Sequence, residues 1–327
     1  MCIRDSPYYC SNVIDSEEKM HVSSVQKFKN LLNVDIRMGA EVTSINRKDK
    51  SVTINGYEIL NYDKLVLAPG ASPFKPQIEG INNPKIHTVR TLGDANRIKE
   101  YIKISNARNA VVIGGGFIGV EMAENLAKID GINATLVELS PHILPPVDKE
   151  TAALAQNELR KHGIKLILSD GVSAFGKNEI VLNSGRKIPY DIAILAIGVK
   201  PETALARDCG LEIGESGGIK VNNHMQTSDP DIYAGGDSVE VEDFVSGQGV
   251  LIPLAGPANR QGRIIADNIA GYDSVYKKTI GSAVVKVFDL TVASAGNSEE
   301  TLIKRGIPYL KTCLLYTSDA ADEARSV

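Results

Sequence analysis

The residues best suited to chemistry lie between 111 and 138, where a run of glycines follows a short apolar segment. Residues 111–113, Val-Val-Ile, are typical of a buried parallel strand. Gly114 permits a tight turn at its end, Gly116 lets a pyrophosphate approach the backbone, and Gly119 lets the next helix pack closely. The spacing therefore predicts a phosphate-binding turn between a strand and a helix, whose unpaired N–H groups would hold the anion.

Glu138 ends the second strand of this unit, which we predict over 134–137, and stands 24 residues after Gly114. At about that separation a carboxylate accepts hydrogen bonds from both hydroxyls of an adenosine ribose and repels a 2′-phosphate. No Arg or Lys occurs between residues 139 and 147 to receive such a phosphate. We therefore expect NADH rather than NADPH. The ordinary alternative is a glycine-rich turn in a helix that merely packs closely.

Two segments that position such groups share one design, YDKLVLAPGASP at 62–73 and YDIAILAIGVKP at 190–201. Each predicts a buried strand that stops at Pro or Gly, where the backbone can lie near a ligand. A third strand, predicted over 231–234, is followed by two glycines and Asp237, a carboxylate placed where α/β sheets bind ligands. The sequence thus predicts an α/β fold with two Rossmann-like, three-layer domains.

Caps and apolar spacing predict helices between these strands. One covers 16–32 with Ser23 or Ser24 as its cap, and Asp148 is expected to cap another. The apolar face of the first helix would be made by Val25, Phe28, Leu31 and Leu32. The period then shifts toward two, which predicts strands over 34–67.

The composition is that of a globular protein, because 43% of the 327 residues are hydrophobic and 23% are charged. The formal net charge of −4 offers no electrostatic footprint for nucleic acid or an anionic membrane. No apolar run approaches the roughly 18 residues of a membrane span, so we expect a cytoplasmic protein that binds small molecules. The cysteines lack metal or disulfide spacing; they are Cys2, Cys10, Cys209 and Cys313.

Seven segments resemble, in order, the FAD-dependent pyridine nucleotide-disulfide oxidoreductases, and most closely the branch with coenzyme A-disulfide reductase and NADH oxidase or peroxidase. They are PYY at 7–9, YDKLVLAPGASP, IGGGFIGVE, LAIGVKPET, TSDPDIYAGGD, PLAGPANRQGR and VKVFDLTVASAGN at 285–297. The resemblance covers about residues 7–312. It implies FAD and NADH as cofactors, and a homodimer for the parent protein.

The resemblance also implies roles for single residues. Asp237 would bind the ribityl chain of FAD, and Ala255 would contact the flavin ring through its backbone. Glu121 would lie near the nicotinamide, although an exposed helical glutamate is the ordinary alternative. The NADH site would be lined by Gly114, Gly116, Phe117, Ile118, Gly119, Glu138 and Gly198.

The same resemblance divides the chain into segments. These are the first part of the FAD-binding domain (1–106), the NADH-binding domain (107–226), the returning part of the FAD domain (227–279) and the start of an α+β dimerisation domain (280–312). Asn297 and Glu300 are spaced to cap the first helix of that last domain. The segments 1–6 and 313–327 resemble translated sequencing adapters, so we expect both to be artefactual.

Departures from the family concern the flavin and the thiol. The family's first G-x-G-x-x-G, for the ADP half of FAD, has no counterpart before residue 111, so we expect an incomplete FAD domain. The branch's redox cysteine stands three positions before the proline of PYY, where this chain has Arg4. Cys10 lies on the wrong side of PYY, and a catalytic thiolate needs an electropositive setting. We assign no catalytic residue and expect the chain as it stands to be inactive.

Three functions stay open at this point. In the first, the parent protein passes hydride from NADH through FAD to a thiol or disulfide acceptor such as coenzyme A disulfide or a persulfide. In the second, an NADH oxidase or peroxidase reduces oxygen or peroxide instead. In the third, the chain is a non-catalytic fragment that binds NADH.

Overall fold

The computed structural model describes residues 5–314 and has the predicted mixed α/β fold. Its helices are α1 Ser6–Cys10, α2 Val25–Leu32, α3 Leu92–Ser105, α4 Phe117–Ala127, α5 Lys149–Lys161, α6 Ala204–Asp208, α7 Ala255–Ile269 and α8 Glu299–Lys304. Short 3₁₀ turns cover Glu18–Met20 and Gly236–Ser238. No helix in the described range is both long and apolar enough to cross a lipid bilayer.

The strands are short. The first ten are β1 Val42–Asn46, β2 Ser51–Ile54, β3 Glu58–Asn61, β4 Leu65–Leu67, β5 Ala71–Pro73, β6 Ile86–Thr88, β7 Asn109–Ile113, β8 Asn133–Val137, β9 Lys165–Ile167 and β10 Val172–Phe175. The others are β11 Glu179–Leu182, β12 Lys187–Pro189, β13 Ile192–Leu195, β14 Val199–Pro201, β15 Ile219–Lys220, β16 Ile232–Ala234, β17 Val239–Glu242, β18 Gly249–Leu251, β19 Ala283–Val287 and β20 Leu290–Ser294.

The five-stranded sheet is parallel, in the order β6-β13-β7-β8-β9. Strand β7 lies at its centre and buries residues 110–113, as the apolar run predicted. Helices α3, α4 and α5 pack on one face of the sheet, and the antiparallel sheet β10-β11-β12 packs on the other. Strand β6 precedes residue 107, where we placed the start of the NADH domain. The sheet therefore extends across that position.

A second, two-stranded sheet pairs β4 with β16 in parallel register. The segments 1–106 and 227–279, both assigned to the FAD domain, are joined by this pairing. The core beneath it contains the buried residues Ile232, Ala234, Ile264 and Ile265. Val66, at the middle of β4, is 43% exposed, so this small sheet is less enclosed than the five-stranded one.

The two segments of similar design meet each other. Strand β5, which follows β4, pairs antiparallel with β14, which follows β13, through residues 71–73 and 199–201. The sequence predicted that each segment ends at a ligand site, but it did not predict this pairing. The β5–β14 pair is therefore a direct link between the two parallel sheets.

The C-terminal hairpin β19–β20 and helix α8 pack back on the rest of the chain. The carboxylate of Glu124, buried in α4, accepts the backbone N–H of Phe288 at the hairpin turn (3.0 Å). The predicted cap of α8 is wrong, because the N-cap is Ser298. Asn297 instead donates to the buried Asp243 (2.9 Å), and its neighbour Arg305 donates to the same carboxylate.

The predicted helix over 16–32 begins only at Val25, with Ser24 as its cap. A 3₁₀ turn and irregular backbone precede it. Its apolar face is exposed, with Val25, Phe28, Leu31 and Leu32 between 36% and 70% accessible. The amphipathic spacing thus indicated the helix correctly, whereas within residues 5–314 no element buries its apolar side.

Candidate functional site

The glycine turn joins the centre of the five-stranded sheet to α4. Gly114 has φ +104°, a conformation that L side chains rarely adopt, and its N–H donates to the Val137 carbonyl (2.8 Å). A Cβ on Gly114 would also collide with the carbonyl of Ala196. The tight turn therefore depends on glycine for both its backbone angle and its space.

The other two motif glycines differ from each other. A Cβ on Gly119 would overlap the carbonyl oxygen of Gly114, so this glycine lets α4 lie against the turn. A Cβ on Gly116 would meet nothing within 4 Å. Gly116 is the N-cap of α4, and the first N–H groups of the helix, at Phe117 and Ile118, lie beside this space. The turn thus has the open approach and free donors that a pyrophosphate requires.

Glu138 is oriented by the turn itself. One carboxylate oxygen accepts the N–H of Gly115, and the other accepts the N–H of Ser140 (2.7 Å). The residue is 9% exposed. A carboxylate has about four acceptor positions, so two remain for the hydroxyls of a ribose. The acid is therefore held in place before any ligand binds.

The loop that follows Glu138 touches the glycine turn through residues that the sequence did not single out. Leu144, fully buried with φ +54°, donates its N–H to the Gly115 carbonyl (2.7 Å). Ile143 donates to the side chain of Gln156 on α5 (3.2 Å). The middle one of the three consecutive glycines was the available signal, because a Cβ on Gly115 would meet Ile143 and Glu138.

Glu121 follows the turn on α4, and Gly198 follows the neighbouring strand β13. Glu121 is half-buried one turn into α4, so it is not the fully exposed helical glutamate of the ordinary alternative. Gly198 has φ +104° after β13, and its carbonyl accepts the N–H of Phe74 (2.9 Å). Because β13 neighbours β7, the structure brings Gly198 to the same sheet edge as the glycine turn.

Asp237 belongs to a separate part of the molecule, in the 3₁₀ turn after β16. It makes no side-chain hydrogen bond with any residue in the range 5–314. Burial raises the pKa of its carboxyl, and the charge of Arg90 opposes that rise. The preceding Gly236 has φ +82° and open space where a Cβ would be. A half-buried carboxylate without a hydrogen-bond partner beside open backbone suits a hydroxyl-bearing ligand such as a ribityl chain.

Arg90 lies beside the β5–β14 pair. It donates to the hydroxyl of Ser72 on β5 (2.6 Å) and to the carbonyl of Pro69 (3.2 Å). It also lies 3.9 Å from the carboxylate of Glu202, just after β14. Arg90 has no motif of its own in the sequence, and its contacts with Ser72 and Glu202 arise from the β5–β14 pairing.

Ala255 is the first residue of α7 and is exposed. The helix packs against the turn that carries Asp237, since buried Gln261 accepts the N–H of Gly236 (2.7 Å). The exposed N–H groups of Ala255 and Gly256 form the positive end of the helix dipole. The structure therefore packs α7, which begins at Ala255, against the turn that carries Asp237.

Cys10 is buried at 2% exposure beneath α3 and α4. Burial raises the pKa of its thiol to about 12, and Lys99 opposes that rise. Such a thiol is protonated at neutral pH and is a poor nucleophile. Arg4, where the resemblance placed the redox cysteine, and Cys2 lie outside the described residues.

Comparison with known proteins gives relatives of similar sequence and fold. An NADH oxidase of Methanocaldococcus jannaschii is 39% identical over 312 residues, which are 93% of this chain and 69% of that protein. The structure of reduced Bacillus anthracis CoADR-RHD matches with 46% identity and a TM-score of 0.90. An NAD-dependent persulfide reductase from A. fulgidus matches with 38% identity and a TM-score of 0.91. Each of the two structures is matched over 94% of this chain.

The chain spans 56% of the Bacillus anthracis chain and 59% of the A. fulgidus chain. Residues 6–262 match the family model described as "Pyridine nucleotide-disulphide oxidoreductase". That range includes the glycine turn, Glu138, Gly198, Asp237 and Ala255. The chain therefore belongs to the pyridine nucleotide-disulphide oxidoreductases, a family of FAD-dependent NAD(P)H oxidoreductases.

Proposed function

We propose that the whole protein transfers hydride from NADH through FAD to a thiol or disulfide acceptor such as coenzyme A disulfide or a persulfide. The observation that carries the NADH part of the proposal is the glycine turn, where Glu138 is held by two backbone N–H groups beside open space at Gly116. The persulfide reductase of A. fulgidus, 38% identical, supports this class of acceptor.

The chain's own residues would bind and orient the two cofactors. The N–H groups at the start of α4 would hold the NADH pyrophosphate, with Glu138 on the adenosine ribose. Gly198 and Glu121 would border the nicotinamide half. Asp237 would accept hydrogen bonds from the FAD ribityl hydroxyls, and the N-terminus of α7 at Ala255 would face the flavin ring. When bound, FAD accepts hydride from NADH and passes electrons to the acceptor.

A second candidate function is reduction of oxygen or peroxide by an NADH oxidase. The M. jannaschii relative, 39% identical, favours it. The two activities share the cofactor residues proposed above and differ in the chemistry of the acceptor. The glycine turn therefore supports both equally, and only the acceptor assay separates them.

The first test measures NADH binding to the purified chain by calorimetry, with the Glu138→Ala variant as the control for the site. Tight binding that the variant weakens would support the proposed NADH site. Binding that is unchanged in Glu138→Ala would contradict it.

The second test identifies the acceptor with FAD added, in one anaerobic assay and one air-equilibrated assay. Coenzyme A disulfide or a persulfide is supplied to the chain and to a longer protein that carries a first βαβ unit, a cysteine in place of Arg4 and a complete dimerisation domain. We expect NADH-dependent thiol release only in the longer protein. Consumption of oxygen with no thiol release in either protein would favour the oxidase.

A further inference from the structure

The loop over residues 139–148 follows the proposed ribose carboxylate and contacts the C-terminal part of the chain. At its centre Leu144 has φ +54°, which is unusual for a bulky residue, and it is fully buried. Its N–H donates to the Gly115 carbonyl (2.7 Å) and its carbonyl accepts the N–H of Val147 (2.9 Å). A strained residue persists only where the surrounding structure holds it. The loop is therefore held against the glycine turn by groups outside itself.

Helix α5 supplies the first of those groups. The side chain of Gln156 is 8% exposed and accepts the N–H of Ile143 (3.2 Å). Ile143 is fully buried and packs over Gly115. Without Gln156 this N–H would be a buried donor lacking its partner, and the loop could satisfy it only by moving.

Helix α8 supplies the second group, from a point more than 150 residues further along the chain. The carboxylate of Asp148 accepts the backbone N–H of Glu299 (2.7 Å). The imidazole of His142, itself 8% exposed, lies 3.7 Å from the carboxylate of Glu300. The two contacts hold both ends of the buried part of the loop, since His142 precedes Ile143 and Asp148 follows Val147.

We propose that Gln156 on α5 and Glu300 on α8 are positioning residues for the adenosine-ribose end of the NADH site, so that both helices contribute to the affinity for NADH. This inference rests on the proposed NADH site at the glycine turn. The two residues act through the loop, because Ser140 and Gly115 provide the N–H groups that hold Glu138. Relaxation at Ile143 or Leu144 would shift those donors and leave the carboxylate less well aimed at the two ribose hydroxyls.

The experiment measures NADH and ADP-ribose binding to the chain by calorimetry. Gln156→Leu removes the acceptor at similar volume, and Gln156→Glu keeps an acceptor. We expect Gln156→Leu to weaken both ligands about 5-fold to 10-fold, as for a buried donor left unpaired, and Gln156→Glu to restore binding to within about 2-fold. Equal losses for NADH and ADP-ribose would locate the effect in the adenosine half.

The contact between buried His142 and the half-exposed Glu300 tests α8 separately. Glu300→Gln is compared with Glu179→Gln, whose carboxylate is equally exposed (46% and 45%) and pairs with Lys187 on the β10-β11-β12 sheet. We expect roughly a 2-fold loss of NADH affinity in Glu300→Gln and none in Glu179→Gln, since exposed ion pairs contribute little.

A double-mutant cycle separates positioning from general destabilisation. In a Glu138→Ala background, Gln156→Leu should cost little further affinity, because the group it positions is gone. Full additivity would overturn the inference, as would wild-type NADH affinity in both Gln156→Leu and Glu300→Gln. If Gln156→Leu fails to fold, Glu300→Gln decides the matter. If the unaltered chain does not bind NADH, the proposed NADH site fails instead.

Discussion

The two carboxylates proposed to contact the cofactors, Glu138 and Asp237, are held in opposite ways. Glu138 is nearly buried and accepts two backbone N–H groups. Asp237 is half-buried, makes no side-chain hydrogen bond within residues 5–314, and has a raised pKa. The first follows a five-stranded sheet enclosed on both faces, and the second follows a strand pair with one exposed middle residue.

The contrast shows which of the two carboxylates the protein orients before a cofactor binds. On the NADH side the protein already orients the Glu138 carboxylate as a hydrogen-bond acceptor, so NADH binding costs no further free energy for ordering it. On the FAD side the carboxylate lacks the partners that would stabilise its charge, and a ligand with hydroxyl groups would supply them. Substitutions on the NADH side should therefore lower the affinity for NADH or the free energy of unfolding. Removing the charge of Asp237 on the FAD side should instead raise the free energy of unfolding.

The largest expected effect comes from Gly119→Ala, because the new Cβ would overlap the Gly114 carbonyl. We expect a loss of roughly 1–3 kcal/mol in the free energy of unfolding, measured by urea denaturation. Gly116→Ala is the matched control, since its Cβ meets nothing within 4 Å. It should cost less than about 1 kcal/mol of stability yet still weaken NADH binding. Equal stability losses would contradict the roles given to these glycines.

The next effect concerns coenzyme choice. Glu138→Ala removes the acceptor for the ribose hydroxyls and the partner of the Gly115 and Ser140 N–H groups. We expect NADH affinity to fall about 10-fold to 100-fold, as for hydrogen bonds to a charged group. NADPH should bind more weakly than NADH to the unaltered chain, and Glu138→Ala should reduce this difference in affinity. Tighter NADPH binding by the unaltered chain would overturn the assignment.

A smaller effect of opposite sign is expected from Asp237→Asn. Because the folded-state pKa is raised, the folded chain binds that proton more tightly than the unfolded chain. Its contribution to stability is therefore present at low pH and is lost as pH rises through the folded pKa. At pH 7 the variant should be more stable by roughly 0.5 kcal/mol, a small figure because water screens a half-buried charge.

The pH dependence supplies the control for that prediction. The thermal unfolding midpoints of Asp237→Asn and of the unaltered chain should become equal below the ordinary aspartate pKa of 3.8, where both side chains are neutral. The variant should also bind added FAD more weakly. A variant less stable at pH 7 would show that Asp237 already has a stabilising partner.

The smallest effect is expected at Cys10, which packs with α3 and α4 on the NADH side. With a pKa of about 12, its thiol is almost entirely protonated at pH 8. Among the three cysteines of the described range, alkylation by iodoacetamide, followed by mass spectrometry, should modify exposed Cys313 first and Cys10 last. Cys10→Ser should leave NADH affinity unchanged. Rapid alkylation of Cys10 would show that α1 opens from the core.

Local sequence determined the strand, turn and helix around Gly114, because the left-handed backbone and the space at Gly119 demand glycine whatever the surroundings. It also predicted the family and the strands before Gly198 and Asp237. The cap of α2 at Ser24 followed from the same local rules. These features share one physical basis, since each depends on residues within a few positions of one another.

Tertiary structure alone decided the contacts between distant segments. No periodicity in the sequence relates the residues that these contacts join. Examples are the pairing of β5 with β14, the hydrogen bond from Arg90 to Ser72 and the hydrogen bond from Ile143 to Gln156. The cap of α8 was predicted wrongly for the same reason, because Asn297 finds the buried carboxylate of Asp243 instead. A polar side chain bonds to whichever partner folding brings near it, and burial decides how much that bond matters.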